Sequence, residues 1–200
     1  MARIGRPREF DRLQALEQAM KLFWAQGYEG TTLADLQKAM GDITPPSFYA
    51  AFGSKESLYR EAVELYKATQ GASVSRALAE GSTARASIER FLRAAAESVC
   101  QPGSPRGCMM VLSALNCMAA NKGIEEFMRE QRSQREKMIR KRLLRGISEG
   151  DLSKKADLDG LTTFYTGIVD ALAFRARDGA SRKALMTIVD YSMAAWDKIG

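Results

Sequence analysis

The sequence contains no histidine and only three cysteines, and these shortages argue against several kinds of site. Histidine is the commonest general base and the commonest zinc ligand, so its absence weighs against many hydrolases and against zinc centres. Neither a Walker A pattern nor a G-x-G-x-x-G pattern occurs, which weighs against nucleotide-binding enzymes. We therefore predict no catalytic residue, no metal and no cofactor, and a protein that is not an enzyme.

The cysteines and the apolar segments indicate in which cellular compartment the protein works. Cys100, Cys108 and Cys117 are odd in number and form no C-x-x-C pair, which predicts free thiols in a reducing cytoplasm. The first residues lack the apolar core of a signal peptide. The longest apolar-rich stretch, residues 108–120, is too short to span a bilayer, so we predict no membrane partner.

The charge is basic overall but unevenly distributed. The net charge is +6, yet residues 1–70 carry nine basic and nine acidic side chains, and residues 71–200 carry 21 basic against 15 acidic ones. A basic balance points weakly to nucleic acid. Because the first seventy residues are neutral, a prediction of DNA binding there must depend on local geometry.

The N-terminal part has the pattern of helix starts and helix ends that a helix-turn-helix requires. Apolar residues at spacings of three and four predict a helix from Asp11 to about Gln26. Thr32, with Asp35 three residues later, predicts the capped start of a second helix. After a glycine-containing turn, Thr44 before Pro45 predicts the start of a short third helix. A helix, a glycine-containing turn and a short helix make up a helix-turn-helix.

The rest of the chain is also predicted to be helical. Ser54 caps a fourth helix that runs to about Gln70, and the glycines at 71 and 81 indicate looser structure at a domain junction. Further helices are predicted at about 84–100, 105–121, 123–149, 157–178 and 181–198. No segment alternates like a strand. We predict an all-α fold, with a helix-turn-helix domain over residues 1–70 and a helical effector-binding and dimerisation domain over residues 71–200.

Candidate DNA contacts lie in the basic N-terminal arm and at the exposed starts of the second, third and fourth helices. The third helix has no Arg, Asn or Gln, so apolar contacts to thymine methyl groups are the plausible direct readout. Phe48 and Phe52 are expected on its buried side. The candidates are Arg3, Arg6, Arg8, Thr31, Thr32, Gln37, Lys38, Thr44, Pro45, Pro46, Ser47, Tyr49 and Lys55. The alternative interpretation is a helical protein that has the same helix starts and ends and does not bind DNA.

The stretch ALEQAMKLFWAQGYEGTTLADLQKAMGDITPPSFYAAFGSKESLYREAVELY, residues 15–66, resembles the TetR/AcrR family of repressors. The resemblance implies that Tyr49 and Lys55 contact phosphates of double-stranded operator DNA. It also implies a homodimer whose last two long helices pair with those of a second subunit. One departure is the turn at residues 41–43, which is one residue longer than the family pattern.

The dimer would use apolar residues of the helices predicted at 157–178 and 181–198. The candidates are Phe164, Ile168, Leu172, Ile188, Met193 and Trp196. The alternative interpretation of these residues is an ordinary monomer core.

A small-molecule pocket is expected among the helices over residues 84–149. Methionine and phenylalanine adapt to apolar ligands, although at helical spacing they are more often core. The candidates are Met109, Met110, Met118, Phe127 and Met128. Cys108 follows Arg106 near a predicted helix start, where a thiol pKa is lowered, so it is a candidate redox trigger. The basic run over residues 129–145 is interpreted as a solvated helix face rather than a nucleic-acid surface.

The predicted function is a ligand-responsive transcriptional repressor that a small-molecule effector releases from its operator. Two alternatives stay open. One is a cysteine-based redox or electrophile sensor on the same fold. The other is a helical small-molecule-binding protein without DNA binding.

Overall fold

The computed structural model describes residues 11–199, apart from the side chains of Asp197 and Ile199. Within this range the regular secondary structure is entirely helical. The elements are α1 (Arg12–Gln26), α2 (Leu33–Ala39), α3 (Pro45–Phe52), α4 (Lys55–Ala68), α5 (Gln70–Ala79), α6 (Ala84–Ser98), α7 (Met109–Leu112), a 3-10 turn (Ala119–Asn121), α8 (Lys122–Glu149), α9 (Leu158–Arg177), α10 (Arg182–Ala194) and α11 (Trp196–Ile199). The prediction of an all-α fold is confirmed.

The predicted starts of the first four helices are confirmed, because each has its side-chain cap. Asp11 accepts hydrogen bonds from the first turn of α1. Thr32 and Asp35 form a complete capping box at α2. Thr44 accepts from the amide of Ser47 at α3, and Ser54 caps α4 in the same way. Side-chain oxygens thus satisfy amides that a helix start leaves unpaired.

Two predicted segments are wrong, and tertiary contacts explain both. Residues 70–79 form helix α5 instead of looser structure, since Leu78 and Val74 pack on the apolar core and offset the low helix propensity of Gly71. Residues 105–121 contain only the four-residue α7 and the 3-10 turn. Gly107 has a φ of 89°, which interrupts a helix there, and its amide bonds to the carbonyl of Val99.

Two apolar cores hold the molecule together. The first lies among α1–α4, includes the buried Phe23, Trp24 and Phe48, and extends to Met128 of α8. The second lies among α5, α6, α8, α9 and α10. Within residues 11–199, no helix has the length and hydropathy of a membrane-spanning segment.

Candidate DNA-binding surface and effector cavity

Helix α3 is anchored by its aromatic residues and presents its other side to solvent. Phe48 and Phe52 are buried in the first core. Because they lie four residues apart, they fix one side of this short helix and turn the opposite side outward. The outward residues are Thr44, Pro45, Pro46, Ser47, Tyr49 and Ala50, all exposed. The start of α3 is therefore a free protruding surface.

The turn before α3, at residues 41–43, contains two residues with left-handed backbone conformation. Gly41 has a φ of 94° and Asp42 a φ of 57°. Ile43 then turns inward, where it is buried, and its amide bonds to the carbonyl of Gln37 at 3.2 Å. Thr44 caps α3 directly after this turn, so the start of that helix is well defined.

Tyr49 and Lys55 are placed differently on this surface. The Tyr49 side chain is 51% exposed, and its ring stands edge-on to Phe48 at a centroid distance of 5.4 Å. Lys55, the first residue of α4, is half-buried with its Nζ 4.2 Å from the centre of the Tyr28 ring. Burial lowers the pKa of Lys55, and the nearby Glu29 carboxylate opposes this shift.

The remaining predicted DNA contacts fall into three groups: arginines outside the described residues, side chains at the surface, and the buried Thr31. Arg3, Arg6 and Arg8 lie outside the described residues. Thr32 and Lys38 are exposed and Gln37 is half-buried, although the Thr32 hydroxyl is already bonded to Asp35 at 2.6 Å.

The prediction for Thr31 is wrong. Its side chain is fully buried, and its hydroxyl donates to the carbonyl of Gly27 at 2.7 Å. The amide of Thr31 bonds to the carbonyl of Tyr28, so neither group is available to a phosphate. Thr31 instead fixes the turn between α1 and α2.

Arg12, which sequence reasoning missed, joins two helices of the candidate DNA-binding surface. Its guanidinium donates to the carbonyl of Ala51 in α3 at 3.2 Å and to the carboxylate of Glu61 in α4 at 2.7 Å. It also lies 4.6 Å from the centre of the Phe52 ring. One side chain of α1 thus connects α3 to α4.

A cavity of about 160 Å³ opens between α4, α5, α6 and α8. Its walls are mainly apolar, with several polar side chains from α4 and α8. The lining residues are Tyr66, Lys67, Gly71, Val74, Ser75, Leu78, Phe91, Ala95, Ser98, Val99, Cys108, Met110, Gln131, Arg132, Gln134, Arg135, Met138 and Val169. An apolar cavity with a few polar groups has the composition of a small-molecule site.

Of the five predicted pocket residues, only Met110 lines this cavity. Met109 and Met128 are fully buried in the first core, because they face the helix-turn-helix instead. Met118 is 65% exposed on the surface. The Phe127 ring packs under the guanidinium of Arg60 at 4.4 Å. The predictions for these four residues are wrong as cavity contacts.

The basic run of α8 is not wholly a solvated face, which corrects its interpretation. Arg142 is 5% exposed and bonds to Ser87, while Arg132 and Arg135 line the cavity. These three arginines alternate with Met128 and Ile139 at spacings of three and four, which is the period of one helix face. That spacing is the signal from which the inward face could have been predicted.

Cys108 lies in the cavity wall, half-buried, at the start of α7. The Tyr66 hydroxyl donates to its sulfur at 3.5 Å. Arg106, the cation two residues before it, faces elsewhere, because its guanidinium donates to the carbonyls of Ala176 and Ala180.

The segment around α7 connects the cavity to the helix-turn-helix. The carbonyl of Ser113 accepts a hydrogen bond from the amide of Tyr28 at 2.7 Å. The Ser113 hydroxyl bonds to the hydroxyl of Tyr59 at 2.5 Å. The indole of Trp24 donates to the carbonyl of Gly107 at 3.0 Å. Thus the same short segment carries Cys108 in the cavity wall and bonds to α1 and α4.

The predicted dimer residues divide between the core and the surface. Leu172, Met193 and Trp196 are buried within the chain, so they form the second core and cannot make an interface. Phe164 is exposed, and Ile168 and Ile188 are half-buried. Two aromatic residues that the sequence did not single out, Phe174 and Tyr191, are exposed on the same two helices.

A serine-nucleophile pattern, G-x-S-x-G, does occur at residues 146–150, but its setting does not suit catalysis. In hydrolases this pattern forms a sharp turn between a strand and a helix. Here Ser148 lies in the last turn of α8, and its hydroxyl donates to the carbonyl of Arg145. The chain also has no histidine to act as its base.

These features define a helix-turn-helix regulator with an attached helical C-terminal domain. Residues 15–62 match the family described as bacterial regulatory proteins, tetR family. The chain is 30% identical to the HTH-type transcriptional repressor ComR of Escherichia coli (strain K12) over 196 residues, which cover 98% of this chain and 93% of ComR.

Solved structures give the same result. A cysteine mutant of the TetR family transcriptional regulator CifR, complexed with 26-bp double-strand operator DNA, is 39% identical, covers 96% of this chain and 100% of its own, and has a TM-score of 0.91. A TetR regulator from Rhodococcus sp. RHA1 is 32% identical with a TM-score of 0.59, over 94% of this chain and 98% of its own. The chain belongs to the TetR family of transcriptional regulators, as the resemblance at residues 15–66 implied.

Proposed function

We propose that this protein is a transcriptional repressor that binds operator DNA as a homodimer and is released by a small molecule. The observation that carries the proposal is the exposed, capped start of α3 beside Tyr49 and Lys55. The relatives support it, since ComR is named a repressor and CifR was solved on operator DNA.

Helix α3 enters the major groove, and its neighbours hold the phosphates. Pro45, Pro46 and Ala50 contact thymine methyl groups, because they are exposed and apolar at the start of the helix. Thr44, Ser47 and the Tyr49 hydroxyl bond to phosphates. Lys55 adds a cation beside the free amides at the start of α4, where an anion is favoured.

The two-fold partner packs on α9 and α10. Phe164, Phe174 and Tyr191 are exposed aromatic residues on these helices, with the half-buried Ile168 and Ile188 beside them. Exposed apolar patches of this kind mark interfaces. A two-fold dimer presents two α3 helices to two half-sites.

Effector binding acts through α4 and α7, which belong to both functional regions. Tyr66 and Lys67 of α4 line the cavity, and the same helix begins at Lys55 on the DNA-binding surface. A ligand that fits the cavity better when α4 is displaced shifts the population toward the DNA-incompetent state.

The direct test is a fluorescence-anisotropy titration of fragments from upstream of the gene at fixed salt. We expect tight binding to one fragment, and weaker binding by Tyr49→Phe and Lys55→Met. Lys55→Met should also lower the salt dependence by about one phosphate contact. Lys154→Met, which removes an exposed cation between α8 and α9, is the matched control. Absence of specific binding to every fragment would favour a small-molecule-binding protein without DNA binding.

A thiol trigger is a second candidate for the release step, because the sulfur of Cys108 lies in the cavity wall. A maleimide that enters the cavity takes up the Cys108 thiol across its C=C bond, with the sulfur on one carbon and the proton on the other. The adduct adds bulk beside Met110 and α7. A maleimide should release DNA from the wild type and from Cys100→Ser, and leave Cys108→Ser bound. Equal release of Cys108→Ser would remove this candidate and leave reversible ligand binding.

A further inference from the structure

The cavity has an apolar side and a cationic side. Helices α5 and α6 contribute mainly apolar side chains, among them Val74, Leu78 and Phe91. Helix α8 contributes Arg132 and Arg135. Among the lining residues of the described chain there is no carboxylate, and the one that pairs with Arg135, Asp170 of α9, is not among them.

The cations differ in whether they have a partner. Lys67 of α4 bonds to Glu64 at 3.0 Å and to Gln131 at 2.9 Å. Arg135 bonds to Asp170 at 2.5 Å through one nitrogen, while its buried Nε has no acceptor.

Arg132 is the cation without a hydrogen-bonded partner. No hydrogen bond or ion pair joins its side chain to any other residue of the described range, and its Nη1 is buried with no acceptor. Burial lowers the pKa of Arg132 and the charge of the nearby Asp170 carboxylate opposes this shift, while arginine stays charged at neutral pH. A buried donor of this kind needs an acceptor from outside the chain.

The size of the cavity limits the ligand. An apolar cavity of roughly 150 Å³ holds a molecule the size of benzene, and this one measures about 160 Å³. Arginine recognises planar carboxylates through two parallel hydrogen bonds. We propose that the effector is a small organic carboxylate with a benzene-sized apolar body, its carboxylate on Arg132 and its body against Val74, Leu78 and Phe91.

This inference rests on the proposed function, in which the cavity receives the effector. It adds the chemical class of the ligand. A neutral compound of equal size fills the apolar side but leaves the Arg132 guanidinium without an anion, so it binds more weakly.

The test is a calorimetric titration of the full-length protein, without DNA, using benzoate and its neutral isostere benzamide. We expect benzoate to bind at least about tenfold more tightly than benzamide. Arg132→Gln should abolish that preference, and Arg132→Lys should keep part of it. Arg129→Gln is the matched control, since Arg129 is exposed on the same helix. Val74→Phe, which fills the apolar side, should weaken both compounds.

The outcomes are separable from those of the DNA titration. Equal binding of benzoate and benzamide, or an unchanged preference in Arg132→Gln with native helicity, would overturn the proposal. No benzoate binding by a protein that still binds its upstream DNA would overturn the ligand class and leave the repressor intact. Benzoate binding by a protein without specific DNA binding would support the ligand class and overturn the repressor.

Discussion

At the scale of single residues, the hydroxyl of Tyr59 shows how a polar contact joins the two functional regions. Tyr59 of α4 is fully buried, and the one partner found for its hydroxyl among the described residues is Ser113 beside α7. Ser113 in turn donates to the carbonyl of Met109 at 2.6 Å. A buried hydroxyl that loses its partner keeps the free-energy cost of desolvation, and no hydrogen bond offsets that cost.

We predict that Ser113→Ala lowers the free energy of unfolding by about 1–3 kcal/mol, because it leaves the Tyr59 hydroxyl unsatisfied. Tyr59→Phe in the same background should recover part of the loss. Urea denaturation of the two single variants and the double variant measures this coupling. Strictly additive effects would show that the hydroxyl contact is energetically neutral.

Glu29 makes the stability of the protein sensitive to acid, because it joins the turn after α1 to the start of α8. Its carboxylate accepts from the Asn121 side chain and from the Met118 amide, both at 2.9 Å. The hydrogen bond from Asn121, followed by that from Met118, lowers the pKa of Glu29 below its ordinary value of 4.5. The stabilisation is therefore fully present above the unfolded pKa and is lost as the pH falls through the lower folded value.

We predict that Glu29→Gln reduces the acid-induced loss of thermal stability below pH 4.5, since its side chain does not titrate. Melting temperatures of variant and wild type across this range give the comparison. Parallel pH profiles would contradict a contribution from Glu29.

At the scale of elements, helix α8 depends on a close approach to α6. A Cβ built on Gly146 would lie 2.6 Å from the Cβ of Ala84, at the start of α6, and 2.6 Å from a carboxylate oxygen of Asp151. No flexible side chain separates the two helices there, so a methyl group must push them apart. Gly123, in the first turn of α8, has open space around its Cβ position.

We predict that Gly146→Ala destabilises the protein by about 1–3 kcal/mol through overpacking. Gly123→Ala on the same helix should be neutral or stabilising by up to about 1 kcal/mol. Thermal denaturation of the pair distinguishes packing from helix propensity. A neutral Gly146→Ala would mean that α6 and α8 can move apart without loss.

The elements that the sequence predicted are those with local signals. Thr32, Thr44 and Ser54 cap their helices through residues within three positions, so a short window contains the whole cause. Residues 105–121 depend instead on distant partners, such as the bond from Trp24 to the carbonyl of Gly107. Periodicity cannot report such partners, and it therefore predicted a continuous helix there.

The site residues also divide into those that local sequence predicts and those that depend on distant contacts. The outward face of α3 follows from Phe48 and Phe52, which the sequence placed in the core. Thr31 and Thr32 are adjacent and chemically equal, yet only Thr31 is buried. The cavity residues come from six helices, α4 to α9, so their meeting depends on the packing of the whole bundle.

At the scale of the whole molecule, the proposed dimer interface includes the exposed aromatic residues on α9 and α10. We predict that Phe174→Glu combined with Tyr191→Glu yields a monomer by light scattering, because buried charges oppose the interface. The monomer should keep its helicity and lose most of its operator affinity. Leu144→Glu, at an exposed apolar residue of α8, is the control. A double variant that stays dimeric would place the interface elsewhere.

Hydroxyl-radical footprinting on the upstream fragment that binds most tightly shows whether α3 binds DNA specifically. We predict two protected half-sites on one face of the DNA, with centres about one helical turn or a multiple of it apart. Tyr49→Phe with Lys55→Met should weaken protection at both half-sites together. Diffuse protection across the fragment, unaffected by these two substitutions, would contradict specific DNA binding through α3.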